Sequence, residues 1–255
     1  MTAATQTVRD IALEQPGSIR VFERFGIDYC CGGRKPLSEA CAARGVEVDA
    51  VIEALEAATQ TPEEVVVSWN AESLAHLCSH IVATHHAYVK RELPRLTALA
   101  EKVVNRHGAT RPELPIIQAT LARLEEELTH HLAKEELILF PYISKLEHAI
   151  ADGGEKPHGC FGTVANPIAM MTQEHDSAGM LLEVIRKQSQ QFTLPEGACP
   201  TYHAFYDGLR EFETDLHQHI HLENNILFPR AIELEASCEN RTADTSADAC
   251  ASCVQ

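Results

Sequence analysis

The chain has 255 residues, enough for one larger domain and one small one. Aromatic residues make up 5% and charged residues 23%, with abundant Ala, Leu and Glu, a mixture that favours helices over sheets and predicts an all-α fold class. The formal net charge of −16, from 37 acidic against 21 basic residues, leaves no basic stripe to neutralise phosphates, so nucleic acid is excluded as a partner in favour of a cation or a basic protein.

The N-terminus lacks the basic start and apolar run of a signal peptide, and no stretch of about 18 apolar residues follows anywhere, which predicts a cytoplasmic protein with no membrane contact. Nine cysteines, an odd number that includes the adjacent pair Cys30 and Cys31, suit a reducing compartment better than a disulfide framework. Turn signals divide residues 1–58 into a small helical domain with helices near 7–13, 18–25, 37–43 and 49–57. The Asp28-Tyr-Cys-Cys-Gly-Gly33 turn lies between the second and third. Residues 59–69 show no helical period and read as a linker, and 236–255 read as a disordered tail containing cysteines.

Between them, residues 70–235 carry four long periodic segments separated by Gly- and Pro-rich connections, the layout of a four-helix bundle. The first stripe is Leu74, Cys78, Val82, His86, Val89 and Leu93, after which Pro94 predicts a break or kink. The second is Leu121, Leu124, Leu128, His131, Glu135 and Ile138. The third is Ile168, Met171, His175, Ala178 and Leu182, and the fourth is Phe205, Phe212, Leu216, His219, Glu223 and Ile226.

The halves of this region repeat one another. His131-Leu-Ala-Lys-Glu135, leading to Phe140-Pro141, recurs as His219-Ile-His-Leu-Glu223, leading to Phe228-Pro229. His86 and His131 lie 45 residues apart, and His175 and His219 lie 44 apart. Helix geometry then selects among the 14 histidines: residues four apart share a face, so His131 pairs with Glu135 and His219 with Glu223, whereas His130, His217 and His221 point elsewhere. His86 is preferred to His85 because its stripe is apolar along its length. A core has no reason to collect four imidazoles and two carboxylates in one layer unless something binds them, because their desolvation is costly. Mixed imidazole and carboxylate ligands with bridging Glu suit two iron or manganese ions, and His86, His131, Glu135, His175, His219 and Glu223 are the candidate metal residues.

The Asp28-Tyr-Cys-Cys-Gly-Gly33, Glu174-His175-Asp176, His131-x3-Glu135 and His219-x3-Glu223-Asn-Asn-Ile-Leu-Phe-Pro229 motifs resemble the hemerythrin-like di-iron proteins. More closely, residues 1 to about 233 resemble the family called repair of iron centres, with its Cys-Cys domain of the ScdA type in front of the bundle. The resemblance implies a cofactor of two non-haem iron ions, oxo- or hydroxo-bridged, on the same six residues. It also implies a stress-response protein that binds nitric oxide or O2 at its iron and supports repair of damaged iron–sulfur proteins; six protein ligands for two ions are a sparse set, and donation of iron is one route such a labile site offers. Cys30 and Cys31 are the candidate thiols, since a turn between helices can expose both. A hemerythrin-like NO or O2 buffer or sensor and a di-iron NO reductase are the competing readings, with binding and repair preferred to catalysis. A homodimer is admitted among the partners.

Overall fold

The computed structural model describes residues 4–30, 32–59 and 69–238. Cys31, most of the expected linker, and the tail with Cys250 and Cys253 lie outside these residues.

Four short helices form the N-terminal part: α1 (Val8–Glu14), α2 (Ser18–Phe25), α3 (Leu37–Arg44) and α4 (Val48–Thr59). Thr7 caps α1, its Oγ1 accepting from the Asp10 amide at 3.1 Å. Gly26 and Gly45 end α2 and α3 in the left-handed conformation, with φ of 66° and 67°, and glycine takes that conformation without a Cβ penalty. Val8, Ile11, Phe22, Leu37, Val51 and Leu55 are buried and join one of the apolar cores of the bundle. Gly33 is dictated by crowding, since a Cβ there would stand 2.6 Å from the Tyr29 carbonyl oxygen; at Gly32 the nearest atom is the Asp28 carboxylate, at 2.9 Å.

Four long helices follow. Leu74–Ile81, the π-helical Val82–His86 and Ala87–His107 run together as α5. Glu113–Lys134, the π-helical Glu135–Leu139 and Phe140–Ala151 form α6, and Ala165–Gln188 is α7. Pro200–His221 and the π-helical Leu222–Leu227 form α8, which stays helical through residue 238. Helix α6 packs on α7 and α5, and α8 packs on α5. A carboxylate from α6 tethers the start of α5: Glu147 accepts from the amides of Leu74 and Ala75 at 2.7 and 2.9 Å. Among the described residues, no helix is long and apolar enough to cross a membrane.

Several expectations are corrected. Helix α5 is continuous through Pro94, so the break among the two expected outcomes does not occur; Pro94 itself is exposed. Ile138 is 46% exposed, and the inward position passes to Leu139. The π turn at Glu135–Leu139 inserts an extra residue, so the inward face after it shifts by one. At the ends of the expected linker, Thr59 still belongs to α4, and Trp69 packs against the rings of His76 and His80. The tail does not begin at 236, since α8 continues and buries Cys238.

The N-terminal part docks against α8. Asn225 Nδ2 donates to the Tyr29 carbonyl at 3.0 Å, Arg9 donates to the Asn225 carbonyl at 3.2 Å, and Gln218 donates to Glu23 at 3.2 Å. His221 is buried at this junction, edge-on to the Tyr29 ring. Burial pushes its imidazole down to about 4, so native His221 stays neutral through a range where the unfolded chain binds a proton. Stability at this residue is therefore full above pH 6.5 and lost as pH falls towards 4. The expected loss is about 3 kcal/mol. Urea unfolding of the metal-free protein at pH 7 and pH 4.5 should show this loss, and His221→Gln should remove most of it; an unchanged difference in the variant would refute the assignment.

Candidate metal centre

The bundle holds two apolar cores, one built on Leu93, Leu124, Leu182 and Phe212 and the other on Leu77, Phe140, Met171 and Phe228. A polar layer separates them. His86 of α5, His131 and Glu135 of α6, His175 of α7, and His219 and Glu223 of α8 form it, each exposed by 2% or less. Three of the six sit in π turns: His86, Glu135 and Glu223. Such insertions turn single residues out of the regular face and frequently mark functional sites.

The six converge as two interlocking sets. One is His86, Glu135, His219 and Glu223; the other is His131, Glu135, His175 and Glu223. Within each set the candidate donor atoms lie within 4.8 Å of one another. His86 Nε2 and His219 Nε2 approach to 3.1 Å, as do His131 Nε2 and His175 Nε2. Glu223 serves both pairs, with Oε1 2.9 Å from His219 Nε2 and Oε2 3.0 Å from His175 Nε2. Glu135 Oε2 stands 3.4 Å from His86 Nε2 and 3.3 Å from His131 Nε2. Both carboxylates are thus placed to bridge.

The outer ring nitrogens indicate which tautomer is present. His86 Nδ1 faces Glu136 at 2.8 Å, and His131 Nδ1 faces Glu174 at 2.9 Å. Carboxylates only accept, so each Nδ1 carries a hydrogen and a neutral ring turns an Nε2 lone pair inward. Two lone pairs at 3.1 Å repel unless a cation or a proton lies between them. Neither oxygen of Glu135 has a hydrogen-bond partner among the described residues, although imidazole nitrogens are close. Buried carboxylate oxygens without a hydrogen bond and converging lone pairs fit a bound cation.

Electrostatics point the same way. Burial pushes His86 down, but the Glu135 and Glu223 carboxylates outweigh it and raise the imidazole to about 10. In His175 the same opposition, with Glu223 foremost, raises it to about 9. Burial raises Glu223, yet the surrounding imidazoles hold it well below the usual carboxylate range. The layer attracts positive charge, and protons and metal ions compete for it.

Around the six lies a second set of residues that spacing does not reveal. Lys90 neutralises Glu136 at 2.6 and 2.7 Å, and Lys134 pairs with Glu174. The hydrogen bond from His131, helped by Lys134, holds Glu174 down at about 2. Phe140 stacks on His86 and Phe228 on His175, which gives the duplicated Phe-Pro motifs a common role as ring supports. His85, the rejected neighbour, bonds Asp215 at 3.0 Å and stacks on His219. His130 is exposed. Burial pushes the Cys78 thiol up, and it stays outside both sets.

The thiol turn differs from expectation. Cys30 is 5% exposed rather than presented to solvent. Asp28 folds the turn inward, its carboxylate accepting from the Cys30 amide at 3.0 Å, the Cys30 thiol at 3.4 Å and the Gly32 amide at 2.9 Å. Cys30 lines a cavity of about 650 Å³ between the turn, α7 and α8, together with Arg44, Asp176, Arg186 and His217.

Residues 4–59 match the ScdA_N domain, described as a domain of unknown function, and residues 78–231 match the hemerythrin HHE cation binding domain. An iron-sulfur cluster repair protein YtfE from Yersinia pseudotuberculosis is 39% identical over 236 residues, covering 92% of this chain and all of the relative. One from Yersinia pestis is 38% identical with the same coverage. The chain belongs to the YtfE family. All six residues of the polar layer fall within the span of the cation binding domain, and the Cys30 turn falls within the ScdA_N span. In this family member, each histidine of the layer is oriented by a neighbour from outside it or stacked on another ring.

Proposed function

We propose that the protein holds two iron ions on His86, His131, Glu135, His175, His219 and Glu223 and uses them, in the cytoplasm under nitrosative or oxidative stress, to bind nitric oxide and support repair of damaged iron–sulfur clusters. The observation that carries this reading is the sharing of Glu135 and Glu223 between two four-residue sets. Two cations in one dry layer need anionic bridges, and imidazole with carboxylate suits iron or manganese. Four protein donors per ion leave room for a small ligand, and ferrous iron supplies NO affinity there. The relatives named for cluster repair support the same reading. The protein residues orient the ligands: Glu136, Glu174 and Asn224 hold three imidazoles, and Phe140 and Phe228 exclude water.

Anaerobic titration of the reduced, iron-loaded protein with NO, followed by EPR and N2O detection, tests the chemistry. A stoichiometric nitrosyl without N2O is expected; catalytic N2O would move the protein to an NO reductase, and no nitrosyl would refute NO binding. Reactivation of an NO-damaged iron–sulfur enzyme tests repair. Cys30→Ser with Cys31→Ser should leave the iron content intact and slow reactivation, and an unchanged rate would make the pair structural.

A further inference from the structure

Three histidines of the polar layer present Nδ1 to a side-chain acceptor, and one of the acceptors differs in kind. Glu136 and Glu174 serve His86 and His131 from the bundle surface. His175 donates instead to Asn224 Oδ1 at 2.9 Å. A carboxylate only accepts, whereas an amide accepts at oxygen and donates at nitrogen. Asn224 does both: its Nδ2 donates to the backbone carbonyl of Cys30 at 3.4 Å. Asn225 donates in the same way to the carbonyl of Tyr29, at 3.0 Å. Two consecutive carbonyls of the thiol turn are therefore held by two consecutive side chains of the π turn that carries Glu223.

We propose that Asn224 is a positioning residue that couples metal occupancy at His175 to the placement and reactivity of Cys30. The proposal rests on the reading of His175 as a metal ligand. A cation on Nε2 stops the ring from turning and strengthens Nδ1–H as a donor. The Asn224 oxygen is then fixed, and its nitrogen is aimed at the Cys30 carbonyl. Loading tightens the turn, and metal loss frees the ring, the amide and the thiol turn in sequence. Because Cys30 already lines a cavity, a small relaxation of the turn is enough to open the thiol to a reagent or partner there. Such coupling is reciprocal, so loosening the turn weakens the hold on metal by the same factor.

The full chain, metal-free or loaded anaerobically with ferrous iron, is treated with iodoacetamide, and fragment-ion mapping follows Cys30 separately from Cys31. Metal content is measured first, so a failure to bind iron overturns the metal reading before any thiol is counted. Loading is expected to slow Cys30 alkylation about fivefold. Asn224→Asp still offers His175 an acceptor, as Glu136 and Glu174 do for their rings, but gives the Cys30 carbonyl an oxygen in place of an N–H. Loaded with excess ferrous iron, the variant should bind it about fivefold more weakly, as reciprocity requires, and lose the difference between the two forms. Equal rates in the wild type, or an undiminished difference in N224D, overturn the coupling. If N224D does not hold iron, Asp28→Ala decides, since it releases the Cys30 and Gly32 amides without touching the polar layer: chelator-driven iron loss should then be about fivefold faster, and an unchanged rate overturns the proposal.

Discussion

On the proposed di-iron reading, Glu135→Ala and Glu223→Ala are each expected to release both iron ions. Each carboxylate belongs to both candidate ligand sets, so on that reading one truncation removes a donor from two ions and half the negative charge between them. Loss of a mere outer partner already costs about 10–100-fold in metal affinity, and a shared ligand counts twice. Iron should fall from about two per chain to a small fraction of that after dialysis against a weak chelator. His130→Ala should keep its iron, because His130 is exposed, and so should His217→Ala, because His217 lines the cavity below the thiol turn. Elemental analysis decides: two irons retained after either Glu change would refute the bridging assignment.

Arg186→Ala is expected to destabilise the fold strongly. Arg186 of α7 grips Glu213 of α8 through two nitrogens, Nε–Oε1 at 2.9 Å and Nη2 to Oε2. Glu213 is 3% exposed, so truncation of the arginine leaves a buried carboxylate without its charge partner. Breaking such a pair costs about 3–5 kcal/mol, a large part of the roughly 5–15 kcal/mol that holds a domain. The charge, more than the lost packing, is the cause. Arg186→Met combined with Glu213→Leu should therefore recover most of the loss. Denaturant unfolding of the single and double variants separates the two causes, and a double variant as weak as the single would show that packing dominates.

Glu135 and Glu223 each pair with a histidine four residues away and with others far along the chain, whereas Glu213 meets Arg186 only across two helices. His131 with Glu135 and His219 with Glu223 were legible because four residues along a helix is a local geometry that needs no knowledge of the fold. His86 and His175 followed from the duplication, since a matched spacing implies a matched place in each half. The apolar stripe of α7 is buried along its length, for that helix has no insertion. After Glu135 the stripe of α6 departs from the helical period, because a π turn shifts the inward face from Ile138 to Leu139 while the composition stays regular.

By itself, then, the sequence determined the all-α class, the four short helices, the four-helix bundle and the six residues that share its central layer. Periodicity, glycine stops and repeat spacing are local or internal signals, and each acts within one helix or between two copies of one pattern. Tertiary structure alone decided the rest. Glu136, Glu174 and Asn224 became partners of particular imidazoles only when helices distant in sequence packed side by side. Cys30 turned from an exposed thiol into the wall of a cavity because Asp28 folds its turn inward and α8 holds the turn's carbonyls. Such contacts depend on the rotation and depth at which elements meet, and no spacing along the chain encodes either one.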